Sequence, residues 1–236
     1  MVTVERTATL DSLVDAASQR FVDVVENAQS GGSDARVVLT GGTAGIRVLQ
    51  ALRENSGRID WQRIHVFFGD ERNVPVSHED SNEGQARAAL LDHVAIPADR
   101  IHGYRLGELD MESSAEFYAG ELEKFAPEGF DVHLLGMGGE GHINTLFPGT
   151  DAVRETEKLV VAEYDSPKPP FERVTLTLPA LARAQRVWLL VSGAEKAEAA
   201  GHVARRSDPV EWPAAGAEGK LETVLFVTDD AATEID

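Results

Sequence analysis

Residues 36–45 read Arg-Val-Val-Leu-Thr-Gly-Gly-Thr-Ala-Gly, and this stretch decides the fold. Arg36 to Thr40 is a short apolar run of strand length. It breaks at once into Gly41-Gly42-Thr43-Ala44-Gly45, and a helical pattern follows from Ile46 to Arg53, ending near Gly57. The same grammar extends in both directions. Upstream, Val14, Ala17, Phe21, Val24, Val25 and Ala28 recur at helical spacing within Asp11 to Ala28, and Gly31-Gly32 closes that helix. Downstream, Arg63 to Phe68 reads as a strand running into Gly69-Asp70-Glu71-Arg72. Helical patterns over Asn82 to Val94 and Ser113 to Phe125 precede a strand at Phe130 to Leu135. The second half repeats the alternation: strands at Lys158 to Tyr164, Arg173 to Leu178 and Arg186 to Val191, a helix from Ala194 to about Ala204, and a strand at Thr223 to Val227. Ser166-Pro167-Lys168-Pro169-Pro170 is a stiff loop, because proline excludes regular pairing. Apolar strands alternating with helices imply an α/β fold with a mainly parallel sheet flanked by helices on both faces. No repeat or long linker interrupts it, so residues 1–236 are expected to form a single domain.

Charge narrows the partners. The 236 residues carry 22 Lys and Arg against 40 Asp and Glu, a formal charge of −18. A nucleic-acid binder needs a basic face to displace condensed counterions, so nucleic acid and anionic membrane are not expected partners. Cysteine is absent, which excludes disulfides, thiolate nucleophiles and Cys-ligated metal centres. The N-terminal residues lack the apolar core of a signal peptide, and apolar runs such as Val187 to Val191 are too short to cross a bilayer. A cytoplasmic protein, monomeric or weakly homo-oligomeric, is expected.

In an open parallel sheet, ligands bind beyond the carboxyl ends of the strands. That rule selects Gly41 to Gly45, Asp70 to Arg72, Gly136 to His142 and Ser192 to Lys196. Gly41-Gly42-Thr43 reads either as a phosphate cradle at a helix N-terminus or as an ordinary tight turn; it lacks the Gly-Lys-Ser/Thr of a Walker loop. Gly136-Met137-Gly138-Gly139-Glu140-Gly141 matches G-x-G-x-x-G after a strand, with Glu155 or Glu157 near the spacing of a ribose-binding acid. A dinucleotide fold needs a full helix after the third glycine, and Pro148-Gly149 arrives within about two turns, which argues against that reading. The segment reads better as a catalytic loop. His142 follows the glycines at the sheet edge, and an imidazole with an ordinary pKa of about 6.5 suits proton transfer. Its position sets it above His65, His78, His93, His102, His133 and His202. Asp70 and Arg72 close a buried-type strand, where Arg72 is suited to an oxyanion or carboxylate. Lys196 falls at the start of a helix, where an anionic ligand would explain a cation; Arg173, opening a strand, is a weaker cationic candidate. No G-x-S-x-G elbow and no H-E-x-x-H metal spacing occurs.

Together these loops resemble the 6-phosphogluconolactonase family. The resemblance rests on L-T-G-G-T (39–43), F-F-G-D-E-R-x-V-P (67–75), S-N (81–82), D-V-H-L-L-G-M-G-G-E-G-H-I-N-T-L-F-P-G (131–149), R-V-T-L-T (173–177) and S-G-A-E-K-A (192–197). It implies a modified Rossmann-type fold, no cofactor and no metal, and hydrolysis of 6-phosphoglucono-1,5-lactone. It further implies that Gly41, Gly42, Thr43 and Lys196 bind the phosphate with help from Arg173, and that His142, on a loop shaped by Gly136, Gly138 and Gly141, is the general base. Asp70 and Arg72 would lie against the sugar ring and its carbonyl end. Two departures stand out. Glu140 replaces the usual Asp two residues before the histidine. Leu146-Phe147-Pro148 replaces the F-N-E-P of the related deaminases, so their catalytic glutamate is missing. A deaminase or a non-catalytic sugar-phosphate sensor are the competing readings. For an anionic substrate to bind an acidic protein, the cleft at the strand edge must itself be positive.

Overall fold

A computed structural model describes residues 1–235, with the backbone alone at Ser56. Its strands are β1 (Val2–Thr7), β2 (Ala35–Leu39), β3 (Ile64–Phe68), β4 (Asp70–Arg72), β5 (Val132–Gly136), β6 (Val160–Glu163), β7 (Arg173–Leu176), β8 (Arg186–Val191) and β9 (Glu222–Thr228). Its α-helices are α1 (Leu10–Ser30), α2 (Gly42–Asn55), α3 (Asn82–Ala89), α4 (Met111–Phe125), α5 (Asp151–Arg154), α6 (Leu178–Leu181) and α7 (Ala197–Arg205). Six strands form one sheet in the order β1-β9-β8-β5-β2-β3, and every neighbouring pair is parallel. All five residues of β3 are buried, as are Val187 to Val191 of β8. Strands buried on both faces have no use for alternation, which is why they read as unbroken apolar runs. Helices supply the cover. Thr9 and Ser12 cap the start of α1 reciprocally, and its stripe of Leu13, Val14, Ala17, Phe21, Val24 and Val25 packs inward. Among the described residues, no helix is long and apolar enough to cross a membrane.

The strand order reverses beside β2. From β2 the chain crosses outward to β3, whereas β5, β8 and β9 follow on the opposite side. A crevice therefore opens between the carboxyl ends of β2 and β5, the place where such sheets bind ligands. Helix α2 begins at Gly42, four residues before the apolar periodicity at Ile46. Gly42 has φ +74°, and a Cβ on Gly45 would stand 2.7 Å from Thr40 O. The first turn thus follows the strand as closely as a side-chain-free backbone allows.

Two features depart from the sequence expectation. Asp70-Glu71-Arg72 is not a loop but a strand. It pairs antiparallel with β7, which pairs with β6, forming a separate three-stranded sheet. Gly69 is the pivot between the sheets: its N–H donates to Leu39 O at 3.3 Å and its carbonyl accepts from Leu176 N at 2.8 Å. The other is β1, an edge strand with the weak alternation V-T-V-E-R-T, paired only with β9. Smaller boundary shifts also occur. The helix expected from Asn82 to Val94 stops at Ala89 before a single turn, Leu91–His93. The one expected from Ala194 starts as a tight turn, Ala194–Lys196, and becomes α-helical at Ala197.

Candidate active site

The crevice is a cleft of about 150 Å3, lined by Thr40 to Gly45, Asp70, Arg72, Asn82, Gly136, Met137, His142, Asn144, Arg173, Leu190 and Lys196. One end is built from backbone. Thr40 Oγ1 accepts from Gly136 N at 3.0 Å and ties the ends of β2 and β5 together. Thr43 stands exposed in the first turn of α2, which carries no acidic side chain. The unpaired N–H groups and positive dipole end of this helix are therefore left for an anion. Lys196 lies in the same cleft. Burial pulls its ammonium pKa down; Glu195 and Glu140 oppose that shift and Lys168 adds to it.

The other end is built from charged side chains of the small sheet. Arg72 and Arg173 are register partners across β4 and β7. Like charges placed opposite one another destabilise a strand pair, so the arrangement needs a counterion. Asp70 supplies part of it, 3.8 Å from Arg173 Nη1. Asp70 is itself fixed: Oδ1 accepts from Asn82 Nδ2 at 2.9 Å and Oδ2 from Thr145 Oγ1 at 2.6 Å. Arg72 Nη1 donates to Asp80 O at 2.8 Å and Asn82 Oδ1 at 2.7 Å, while its Nε is buried without a partner. Beneath them, buried Glu71 accepts from the N–H groups of Arg72, Asn82 and Glu83 and from Ser81 Oγ, which locks β4 to the N-terminus of α3. Burial pushes the Glu71 carboxyl pKa up against those hydrogen bonds.

His142 stands between the two ends. Gly141, at φ +81°, turns the chain so that the imidazole stacks on Phe147 with ring centroids 4.4 Å apart. A Cβ on Gly138 would overlap His142 Nδ1, so that glycine leaves the space the ring occupies. His142 Nδ1 lies 3.2 Å from Glu140 Oε1, at ion-pair distance but not aligned as a hydrogen bond. Burial holds the imidazole pKa below its ordinary 6.5; Glu140 opposes this most, Lys168 reinforces it and Asp70 opposes it. Burial works against charge on Glu140 too, but the hydrogen bond from Lys168 and the charges of His142 and Lys168 outweigh it, and its carboxyl stays below the usual range.

The chain matches the family described as glucosamine-6-phosphate isomerases/6-phosphogluconolactonase over residues 8–226. It belongs to that family. A 6-phosphogluconolactonase of Mycobacterium leprae is 46% identical over 230 residues, covering 94% of this chain and 93% of that protein. The corresponding protein of Mycobacterium tuberculosis is 45% identical over 234 residues, covering 95% of each. Among solved structures, the 6-phosphogluconolactonase of Thermotoga maritima superposes with a TM-score of 0.87 at 29% identity, covering 97% of this chain and 100% of that one.

Within this family member, the cleft gathers Gly41, Gly42, Thr43, Asp70, Arg72, Gly136, His142, Arg173 and Lys196, all singled out from sequence. Gly138 and Gly141 shape the loop from behind. Three cations, Arg72, Arg173 and Lys196, line the cleft beside Asp70. The G-x-G-x-x-G match is not a dinucleotide turn: turns and an isolated bridge between Ile143 and Leu146 follow Gly141, and the next helix, α5, has four residues. Glu155 is spent locally, accepting from the N–H groups of Thr156, Glu157 and Lys158. The other histidines lie outside the cleft. His133 is wholly buried in β5, where burial pulls its pKa down to about 3. His65 and His102 share a hydrogen bond at 2.9 Å, and His202 stacks on Trp212. Among the described residues, no group of three or more His, Asp or Glu side chains is arranged to hold a metal ion.

Sequence reasoning missed Asn82, Asn144, Thr145 and Lys168 as site residues. Asn144 has φ +49° and its Nδ2 is buried without a partner, while a Cβ on Gly69 would overlap its Oδ1. The available signals were an asparagine in a glycine-rich loop, where left-handed backbone is tolerated, and a glycine at a strand end.

Proposed function

We propose that this protein hydrolyses 6-phosphoglucono-1,5-lactone to 6-phosphogluconate, the lactone step of the pentose phosphate pathway, with His142 as general base. The observation that supports the mechanism is the convergence in one cleft of a histidine whose pKa burial holds down, three cations and a helix N-terminus with no acidic side chain in its first turn. The phosphate sits on the first turn of α2 and on Lys196, with Arg173 beyond. This fixes the lactone carbonyl beside His142 and makes attack effectively unimolecular. With Nδ1 turned to Glu140, Nε2 takes a proton from water. The water oxygen bonds to C1, and Arg72 stabilises the oxyanion; one such donor is worth roughly 10²–10³ in rate. The bond from C1 to the ring oxygen then breaks, and the imidazolium returns its proton to that oxygen. Asp70, fixed by Asn82 and Thr145, orients Arg173 and faces the sugar. No step calls for a cofactor.

The deciding experiment is a lactonase assay on the purified protein, corrected for spontaneous hydrolysis. Phosphate-dependent turnover, absent with the unphosphorylated lactone, is expected; equal turnover of both lactones overturns the phosphate assignment. A general base acts in its neutral form, so kcat/KM falls as pH drops through the His142 pKa. Because burial lowers that pKa, the acid limb should lie below pH 6.5. The apolar residues of both sheets join one cluster, which supports reading residues 1–236 as one domain.

A further inference from the structure

The proline-rich loop 166–170 takes no part in the chemistry above, yet it lies against the base. Lys168 Nζ is 2.6 Å from Glu140 Oε1, and the same oxygen stands 3.2 Å from His142 Nδ1. One carboxylate oxygen thus faces two cations whenever the imidazole is protonated. We propose that Lys168 is a positioning residue for the base: it holds the Glu140 carboxylate in place and, by occupying Oε1, keeps His142 in its neutral form. The inference rests on the assignment of His142 as base.

The placement of the loop does not depend on the Lys168 side chain. Arg173 Nε donates to Pro170 O at 2.8 Å, and its Nη2 donates to Lys168 O at 2.9 Å and Pro169 O at 3.4 Å. All three acceptors are main-chain carbonyls. Ser166 Oγ also donates to Lys168 O at 2.9 Å, and Ser166 N donates to Phe171 O at 3.1 Å. Arg173 is buried and anchored beside Asp70. The loop is therefore a strap pinned by backbone contacts that carries a half-exposed ammonium to the catalytic loop. Proline on both sides of Lys168 limits the conformations over which that ammonium ranges.

The electrostatic direction follows from the groups around the imidazole. Glu140 and Asp70 favour imidazolium; Lys168 opposes it directly, and the cleft cations Arg72, Arg173 and Lys196 lie on the same side of the balance. Replacing Lys168 removes one opposing charge and frees Oε1 to pair with the protonated ring. The imidazolium gains, so a higher pH is needed to reach the active neutral form. Because the pair is half exposed and screened, the expected move is about half to one pH unit.

The test is the pH profile of kcat/KM for Lys168→Met and Lys168→Arg beside wild type. Lys168→Met should shift the acid limb upward, lowering kcat/KM on that limb about three- to tenfold and leaving the alkaline plateau near wild type. Lys168→Arg should restore the wild-type profile. In a Glu140→Gln background, the Lys168→Met shift should shrink, because the shared oxygen is gone. An unshifted limb, or a loss equal at every pH, overturns the proposal. A change confined to KM also overturns it and marks Lys168 as a substrate contact. The His142 ring-proton NMR titration of the ligand-free protein reads the same shift without turnover. A protein without lactonase activity but with the NMR shift would sink the proposed function and keep the role of Lys168. A lactonase without the shift would do the reverse.

Discussion

The two sheets meet at the cleft and contribute different chemistry. The large parallel sheet supplies strand ends: glycines, main-chain N–H groups and the start of α2, none of which needs a particular side chain to bind an anion. The small antiparallel sheet supplies charged side chains: Arg72 and Arg173, paired in register against their repulsion, and Asp70, which offsets it. The loop of His142 bridges them, leaving β5 of the large sheet and reaching β7 of the small one through Thr145, whose N–H donates to Thr175 Oγ1 at 3.2 Å. On the proposed mechanism the large sheet carries most of the phosphate binding and the small sheet the reactive geometry, with Arg173 reaching across, and the variants below test that division.

The sharpest break is expected at the bridge. His142→Ala should lower kcat by about 10²–10⁴ while leaving substrate affinity nearly intact. Steady-state kinetics together with equilibrium binding of the product separates the two quantities. A comparable loss in both would mean that binding and chemistry are not divided as the sheets suggest.

On the small-sheet side, Arg173→Ala removes a buried guanidinium that serves Asp70 and three loop carbonyls. Stability should fall by about 2–4 kcal/mol, because those partners are left buried without a donor. Urea unfolding measures it, and a midpoint unchanged from wild type would show that the strap holds itself. Gly138→Ala acts at the bridge without touching the substrate. Its Cβ overlaps the His142 ring, so kcat should drop by about tenfold or more through misplacement alone. Its thermal midpoint should stay close to wild type, since the displaced ring lies at a cleft rather than in the core.

The same division explains what the sequence made legible. Strands β2, β3, β8 and β9 announce themselves because burial on both faces leaves unbroken apolar runs such as Val37-Val38-Leu39 and Val187 to Val191. Strand β4 does not, since Asp-Glu-Arg has no apolar period; it exists because β7, a hundred residues away in sequence, offers it a partner. Edge strand β1 is half exposed and carries only the alternation of Val2 and Val4. The site divides likewise. Glycine turns, His142 and Lys196 follow strands in sequence and are found by that rule. Glu71, Asn82, Thr145 and Lys168 act through contacts across 10 to 75 positions, for instance Thr145 to Asp70, and no local pattern carries these contacts.

The smallest effect should come from the large-sheet side, and it tests whether that side only binds. The Lys196 ammonium makes no hydrogen bond or ion pair to the described residues and stands in the cleft with α2. If it does no more than attract the phosphate, Lys196→Ala should raise KM by about tenfold or less, because the α2 N–H groups remain. kcat should hold. A charge acting through partly screened space must also weaken with salt, so raising ionic strength should narrow the gap in KM between variant and wild type. A fall in kcat at saturating substrate, insensitive to salt, would instead place Lys196 beside the reacting carbonyl and erase the division between a binding sheet and a reacting one.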